Sequence, residues 1–217
     1  MKFKIIEENV TAQIVEKKSK FIANIVYIEN REEAEEILKK IRKKYYDARH
    51  NCFAYRVTEN DSIIEKSRDD GEPSGTAGAP ILNIISKNNI SNVLVVVTRY
   101  FGGVLLGTGG LVKAYSDVVL KALENVRYIE QSVGYEVEVT MPYSEVEYFK
   151  YLCKRENINI VQEEYYENVK IIIEMLENET EQKLEKFTSD KIRQISTKVL
   201  GKKNVRALWE IKKQQKN

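Results

Sequence analysis

The chain has one histidine, two cysteines, three prolines and no surplus of either charge: 35 Lys and Arg stand against 33 Asp and Glu, a net +2 over 217 residues. Each shortage removes a class of function. His50 alone cannot build a Cys/His zinc cluster or the paired histidines of a zinc hydrolase. A Ser-His-Asp arrangement would have to use that same His50, and no G-x-S-x-G elbow is present. Cys52 and Cys153 are far apart in sequence and read as buried thiols in a reducing compartment. The near-neutral balance excludes an electrostatic nucleic-acid binder acting with its whole surface, so any such site is a local patch. The first residues, MKFKIIEENV, lack an apolar segment of signal-peptide length, and no run approaches the length of a membrane span. The expectation is a soluble cytoplasmic protein with no metal and no cofactor.

Glycine is scarce elsewhere and concentrated in one place. Residues 69–113 hold eight of the ten glycines, the others being Gly134 and Gly201, together with Pro73 and Pro80. Glycine is used where backbone takes positive φ or approaches another group closely. Within this stretch Val93–Val97 is a continuous apolar, β-branched run, the pattern of a strand covered on both faces. Thr98-Arg99-Tyr100-Phe101 leaves it, Gly102-Gly103 turns, and Gly107-Thr108-Gly109-Gly110 opens an amphipathic helix with Thr108 as its expected N-cap. A strand, a glycine loop and a helix start can present backbone N–H groups to an anion, with Arg99 and Lys113 adding charge. A tight turn with close strand–helix packing explains the same glycines. Neither the Walker loop nor the dinucleotide spacing is present.

Three runs, Asp69-Asp70-Gly71-Glu72-Pro73-Ser74-Gly75-Thr76-Ala77-Gly78, Arg99-Tyr100-Phe101-Gly102-Gly103 with Gly107, and Ala48-Arg49-His50-Asn51-Cys52-Phe53-Ala54-Tyr55, strongly resemble the signature of the Impact/YigZ family. The likeness covers roughly residues 1–125, and the tail resembles the second domain common in bacterial members. What this implies is a two-domain bacterial form. Its N-terminal domain would share the βαβ fold of a small-subunit ribosomal protein and of elongation factor G domain IV. Its C-terminal domain would be ferredoxin-like. Eukaryotic relatives are translation regulators linked to the general-control kinase pathway, so the implied partners are the ribosome, RNA or a translation-regulatory protein.

The chain in order predicts strands over 2–6, 11–16 and 20–28, then a helix from Asn30 with Glu33 completing a capping box. Residues 48–57 read as a strand, with His50 at its start as a structural hydrogen-bonder or a catalyst. Residues 62–67 return. Asp69, Asp70 and Glu72 either bind Mg²⁺ or order the loop and cap a helix opening near Ser74, with Pro80 in the first regular turn. A helix over 109–125 buries Leu111, Val112, Tyr115, Val118, Val119, Ala122 and Leu123. The first half is then an α+β sandwich with its helices on one side, filling 1–126. Residues 127–132 read as a connector. From 133 to 217 the pattern is β-α-β-β-α-β, with helix over 178–199 broken near Thr188-Ser189-Asp190, and a closing strand over 205–211 that carries Trp209.

Two functional readings follow. In the first, a translation-associated binding protein uses Arg99, Tyr100, Gly102, Gly103, Gly107, Thr108, Gly109, Gly110 and Lys113 as one phosphate- or nucleic-acid-binding surface. An arginine with aromatics suits a protein hot spot as well, and the rings also suit the domain's own core. In the second, a phosphate- or nucleotide-handling enzyme uses the glycine loop with Asp69 and Asp70 on a metal. No catalytic residue is assigned. On the first reading Arg99→Ala leaves the fold intact; should it unfold the domain, Arg99 is a buried partner of a carboxylate such as Asp69 or Asp70.

Overall fold

A computed structural model describes residues 2–59, 62–189 and 193–206 of the chain. The chain forms two compact units, one over Lys4–Tyr128 and one made of the residues up to Phe3 and those from Ile129 on.

The first unit is built on a five-stranded antiparallel sheet, ordered β2 (Val10–Glu16), β3 (Ser19–Tyr27), β6 (Val93–Tyr100), β4 (His50–Glu59), β5 (Ser62–Arg68). Alternation assigns its faces. Val93, Val95 and Val97 with Cys52 and Ala54 pack on α2 (Gly78–Lys87) and α3 (Gly107–Leu123), while Leu94 and Val96 with Phe53, Tyr55 and Val57 pack on α1 (Arg31–Lys44). Helices therefore lie on both faces, not one. This is the physical reason that β6 reads as an unbroken apolar run, and it corrects the one-sided sandwich.

Local signals near α1 are legible. The Asn30 side chain accepts from the N–H of Glu33 at 2.9 Å, and the Glu33 carboxylate reaches the N–H of Glu29 at 2.8 Å. Two other expectations near helix ends fail. Helix α3 starts at Gly107 after Leu106, so Thr108 is inside the first turn and caps nothing. Helix α2 starts at Gly78 rather than near Ser74, with Pro80 in its first turn. Val112 points outward, being partly exposed among the buried side chains of α3.

The second unit orders β7 (Tyr128–Met141), α4 (Val146–Arg155), β8 (Asn159–Tyr165), β9 (Val169–Leu176), α5 (Thr180–Thr188) and β10 (Ser196–Arg206). Strand β7 lies between β9 and β10, with β8 outside β9, which is the ferredoxin-like order. Val137, Val139, Ile171 and Ile173 pack there against Phe149, Leu152 and Phe187. Tyr151 is exposed.

Three expectations are corrected here. Strand β1 (Lys2–Ile6) pairs with β7 and not with β2, so the start of the chain belongs to the second sheet. Residues 128–132 are strand rather than connector. The helix over 178–199 ends at Thr188, where the sequence predicts a break, but it does not resume: β10 begins at Ser196. The strand with Trp209 lies mostly outside the described residues. Among the described residues no helix is long and apolar enough to cross a membrane.

Candidate functional site

Arg99 sits on the central strand with Phe21 opposite it on β3 and His50 opposite it on β4. All three lie on the face that carries α2 and α3. The arginine is 5% exposed. One terminal nitrogen donates to Glu72 Oε1 at 2.6 Å, and the other reaches Ser19 Oγ at 3.4 Å. Its Nε is buried with no acceptor. The guanidinium also lies over the rings of Phe21 and Phe101, at 5.4 and 5.5 Å. Arg99 is thus a buried ion-pair partner and not a free phosphate clamp, and its carboxylate is Glu72, not Asp69 or Asp70.

Glu72 also accepts from the Tyr115 hydroxyl at 2.9 Å, and His50 Nε2 stands 4.0 Å away. His50 Nδ1 faces the carbonyl of Asp70 at 2.8 Å; a carbonyl only accepts, so this nitrogen carries the proton. In the neutral ring Nε2 is then an acceptor. The Cys52 thiol donates to the carbonyl of Asp69 at 2.8 Å while its sulfur stands 3.2 Å from the Tyr115 hydroxyl, and burial pushes the thiol up to about 12, which leaves it unreactive at neutral pH. Burial likewise pushes the Tyr115 phenol far up.

Asp69 and Asp70 are already engaged. Asp69 accepts from the N–H groups of Gly75, Ala77 and Gly78 at 2.9, 3.0 and 2.8 Å, capping α2 from a distance in sequence. Partial burial raises its carboxyl, but these three bonds outweigh that and hold it below the usual range. Asp70 accepts from Arg42 at 2.9 Å and from the N–H of Asn51 at 2.8 Å. Both oxygens of each carboxylate are therefore occupied, and neither residue lines the cleft described next. This removes the pair as metal ligands of that cleft. Ser74 is exposed in the same loop and plays no part in the cap.

Beside the ion pair opens a cleft of about 460 Å³, lined by Arg49, His50, Glu72, Arg99, Phe101 and Leu105, with Gly71, Pro73, Leu106, Gly107, Thr108 and Leu111 completing it. Gly102 and Gly107 shape the loop that leads from Phe101 to the helix start. A Cβ on Gly102 would strike the backbone of Lys18 and Ser19, where its N–H donates to Ser19 Oγ at 3.1 Å. Gly107 holds φ +74, and α3 starts there with no side-chain cap. The first N–H groups of that helix, at Gly107, Thr108 and Gly109, have no intrahelical acceptors.

Not every residue grouped by sequence meets at the cleft. Tyr100 alternates to the opposite face from Arg99, where its hydroxyl donates to Asp47 at 2.8 Å, a bond that pushes the phenol up to about 12. Lys113 is exposed and paired with Asp117 on the outer side of α3. Gly103, at φ +83, shapes the loop without lining the cleft. Arg49 and Phe101 were quoted in the sequence motifs but not assigned to the site. Counting two residues on from Arg99, and one back from His50, would have found them.

A sheet sheathed by helices on both faces and followed by a ferredoxin-like unit defines a two-module α+β protein whose cleft lies wholly in the first module. The chain belongs to the IMPACT family. The family model described as Impact N-terminal domain matches residues 17–123, and that described as Domain of unknown function (DUF1949) matches residues 139–191. The chain is 37% identical over 168 residues to IMPACT family member YvyE of Bacillus subtilis (strain 168), covering 77% of each. It is 34% identical over 178 residues to an IMPACT family member of Haemophilus influenzae, covering 80% of this chain and 83% of the relative. A solved structure described as a crystal structure of an hypothetical protein aligns with a TM-score of 0.62 at 29% identity, over 92% of this chain and 98% of that one.

Proposed function

We propose that this protein acts in the control of translation, in the cytoplasm, by engaging the ribosome through the cleft face of its first unit. Membership of the IMPACT family supports the translational part, through the translation regulators among the relatives that the sequence resembles. The observation that carries the site is the loop after β6. Phe101, Val104 and Leu105 are 43%, 40% and 82% exposed, side by side, next to Arg49 and the uncapped start of α3. A fold gains nothing from exposing three apolar side chains in five residues, whereas a contact surface does. The cation and the helix start favour a phosphate-bearing partner such as ribosomal RNA.

Sedimentation of cell lysate on sucrose gradients of graded salt tests this. The protein is expected to travel with ribosomal fractions at low salt and to leave them as salt rises. The Leu105→Glu variant is expected to stay at the top throughout. Wild-type protein that stays at the top in low salt would sink the reading.

A further inference from the structure

We propose that the cleft is a small-molecule site for a nucleoside monophosphate. The inference shares the face used in the proposed function but does not depend on the ribosome being the partner. Three observations converge on it. The cleft has a volume of about 460 Å³, within the range of small-molecule sites, and one side is apolar: Phe101, Leu105, Pro73 and Leu111. The other side is cationic. Arg49 is exposed, lines the cleft and makes no ion pair among the described residues, and the uncapped N-terminus of α3 opens beside it. Arg99, buried and lining the same cleft, keeps an Nε without any acceptor.

The charge count favours one phosphate group. Arg49 and Arg99 oppose Glu72 alone, and the helix start adds a partial positive charge. Helix N–H groups with an unpaired arginine suit the terminal oxygens of a monoester. His50 also lines the cleft; with Nδ1 committed to the Asp70 carbonyl, Nε2 of the neutral ring, 4.0 Å from Glu72, is left as an acceptor. A sugar hydroxyl supplies the donor it lacks. Phe101, held under the Arg99 guanidinium with its other surface open, offers a platform on which a base can stack. Anion, hydroxyl and flat apolar ring together describe a nucleotide better than inorganic phosphate or a fatty anion.

Calorimetric titration of the full chain with AMP, adenosine and inorganic phosphate, each alone, tests this. AMP is expected to bind with a Kd at least about tenfold lower than either part, since a charge-assisted bond is worth about that factor. Arg49→Ala and Thr108→Pro, the second removing one helix N–H at a first-turn position that tolerates proline, are each expected to weaken AMP about tenfold. Lys113→Ala, outside the cleft, should leave the affinity unchanged. Circular dichroism confirms that each variant is folded. Absence of saturable AMP binding overturns the inference, and so does equal binding of inorganic phosphate, which would leave the apolar wall without a role. AMP binding by protein that never sediments with ribosomes supports this inference while overturning the proposed function. Ribosome association without AMP binding does the reverse.

Discussion

Arg99 shows how a residue type can be identified while its role is misjudged. Its position at the end of an apolar strand was visible, and so was the nearby acidic loop. Which acid turned inward was not visible, because that depends on how residues 69–78 fold over β4 and β6. The period-two rule did, however, separate Arg99 from Tyr100, and it would have paired Arg99 with Phe101. The burial has an energetic consequence. Both side chains of the Arg99–Glu72 pair are nearly inaccessible, at 6% and 3% exposed. Removing one partner of such a pair strands the other charge and costs about 3–5 kcal/mol. We therefore expect Arg99→Ala to lower unfolding free energy by about that amount in urea titration. Glu72→Gln added to Arg99→Ala is expected to restore part of it, since Tyr115 still has an acceptor and no buried charge is left. Equal stability of wild type and Arg99→Ala would mean that the pair is not closed in solution.

At the scale of elements, the signals that sequence carried well were the local ones. The Asn30 cap, the apolar run of β6 and the inward stripe of α3 depend on neighbours a few residues away, and they were legible. The cap of α2 was not, because Asp69 reaches forward across a glycine loop to Ala77 and Gly78. Nor was the pairing of β1 with β7, which no periodicity encodes. Nor was β10, whose charged stretch around Lys202 and Lys203 fits a helix surface equally well until Glu136 and Glu177 supply its partners. The Asp69 cap can be tested. Asp69→Ala should cost about 1–2 kcal/mol at neutral pH, as loss of an N-cap does. The folded carboxyl titrates below its ordinary 3.8, so its contribution is present above that value and is lost as pH falls through the lower folded value. The gap in melting temperature between wild type and Asp69→Ala should thus be full at pH 6 and close in acid. A gap that persists unchanged at pH 2 would show that the carboxylate charge is not what stabilises the helix start.

At the scale of the whole molecule, the exchange of β1 sets the limits of each unit. The first unit keeps both of its cores and the whole cleft within Lys4–Tyr128. The second is not continuous in sequence, because Phe3, 2% exposed, at the start of β1, belongs to it, while the rest of that strand, from Lys4, belongs to the first. A unit of its size holds only about 5–10 kcal/mol of stability, and burying one phenylalanine contributes about 1.5–3 of that. Expressed separately, residues 4–128 are expected to unfold cooperatively and to bind AMP as tightly as the full chain. Residues 129–217 are expected to melt well below the same unit in the intact protein, and a peptide of residues 1–8 should raise that melting temperature further as its concentration rises, logarithmically once it exceeds its Kd. The connector drawn over 127–132 predicts a different result: cleavage there, and a tail that is equally stable with or without the first residues. Limited proteolysis distinguishes the two, since the intact β7 ladder should resist cutting across 128–132. Rapid cleavage in that span, with no effect of the peptide, would return β1 to the first unit and restore the contiguous division.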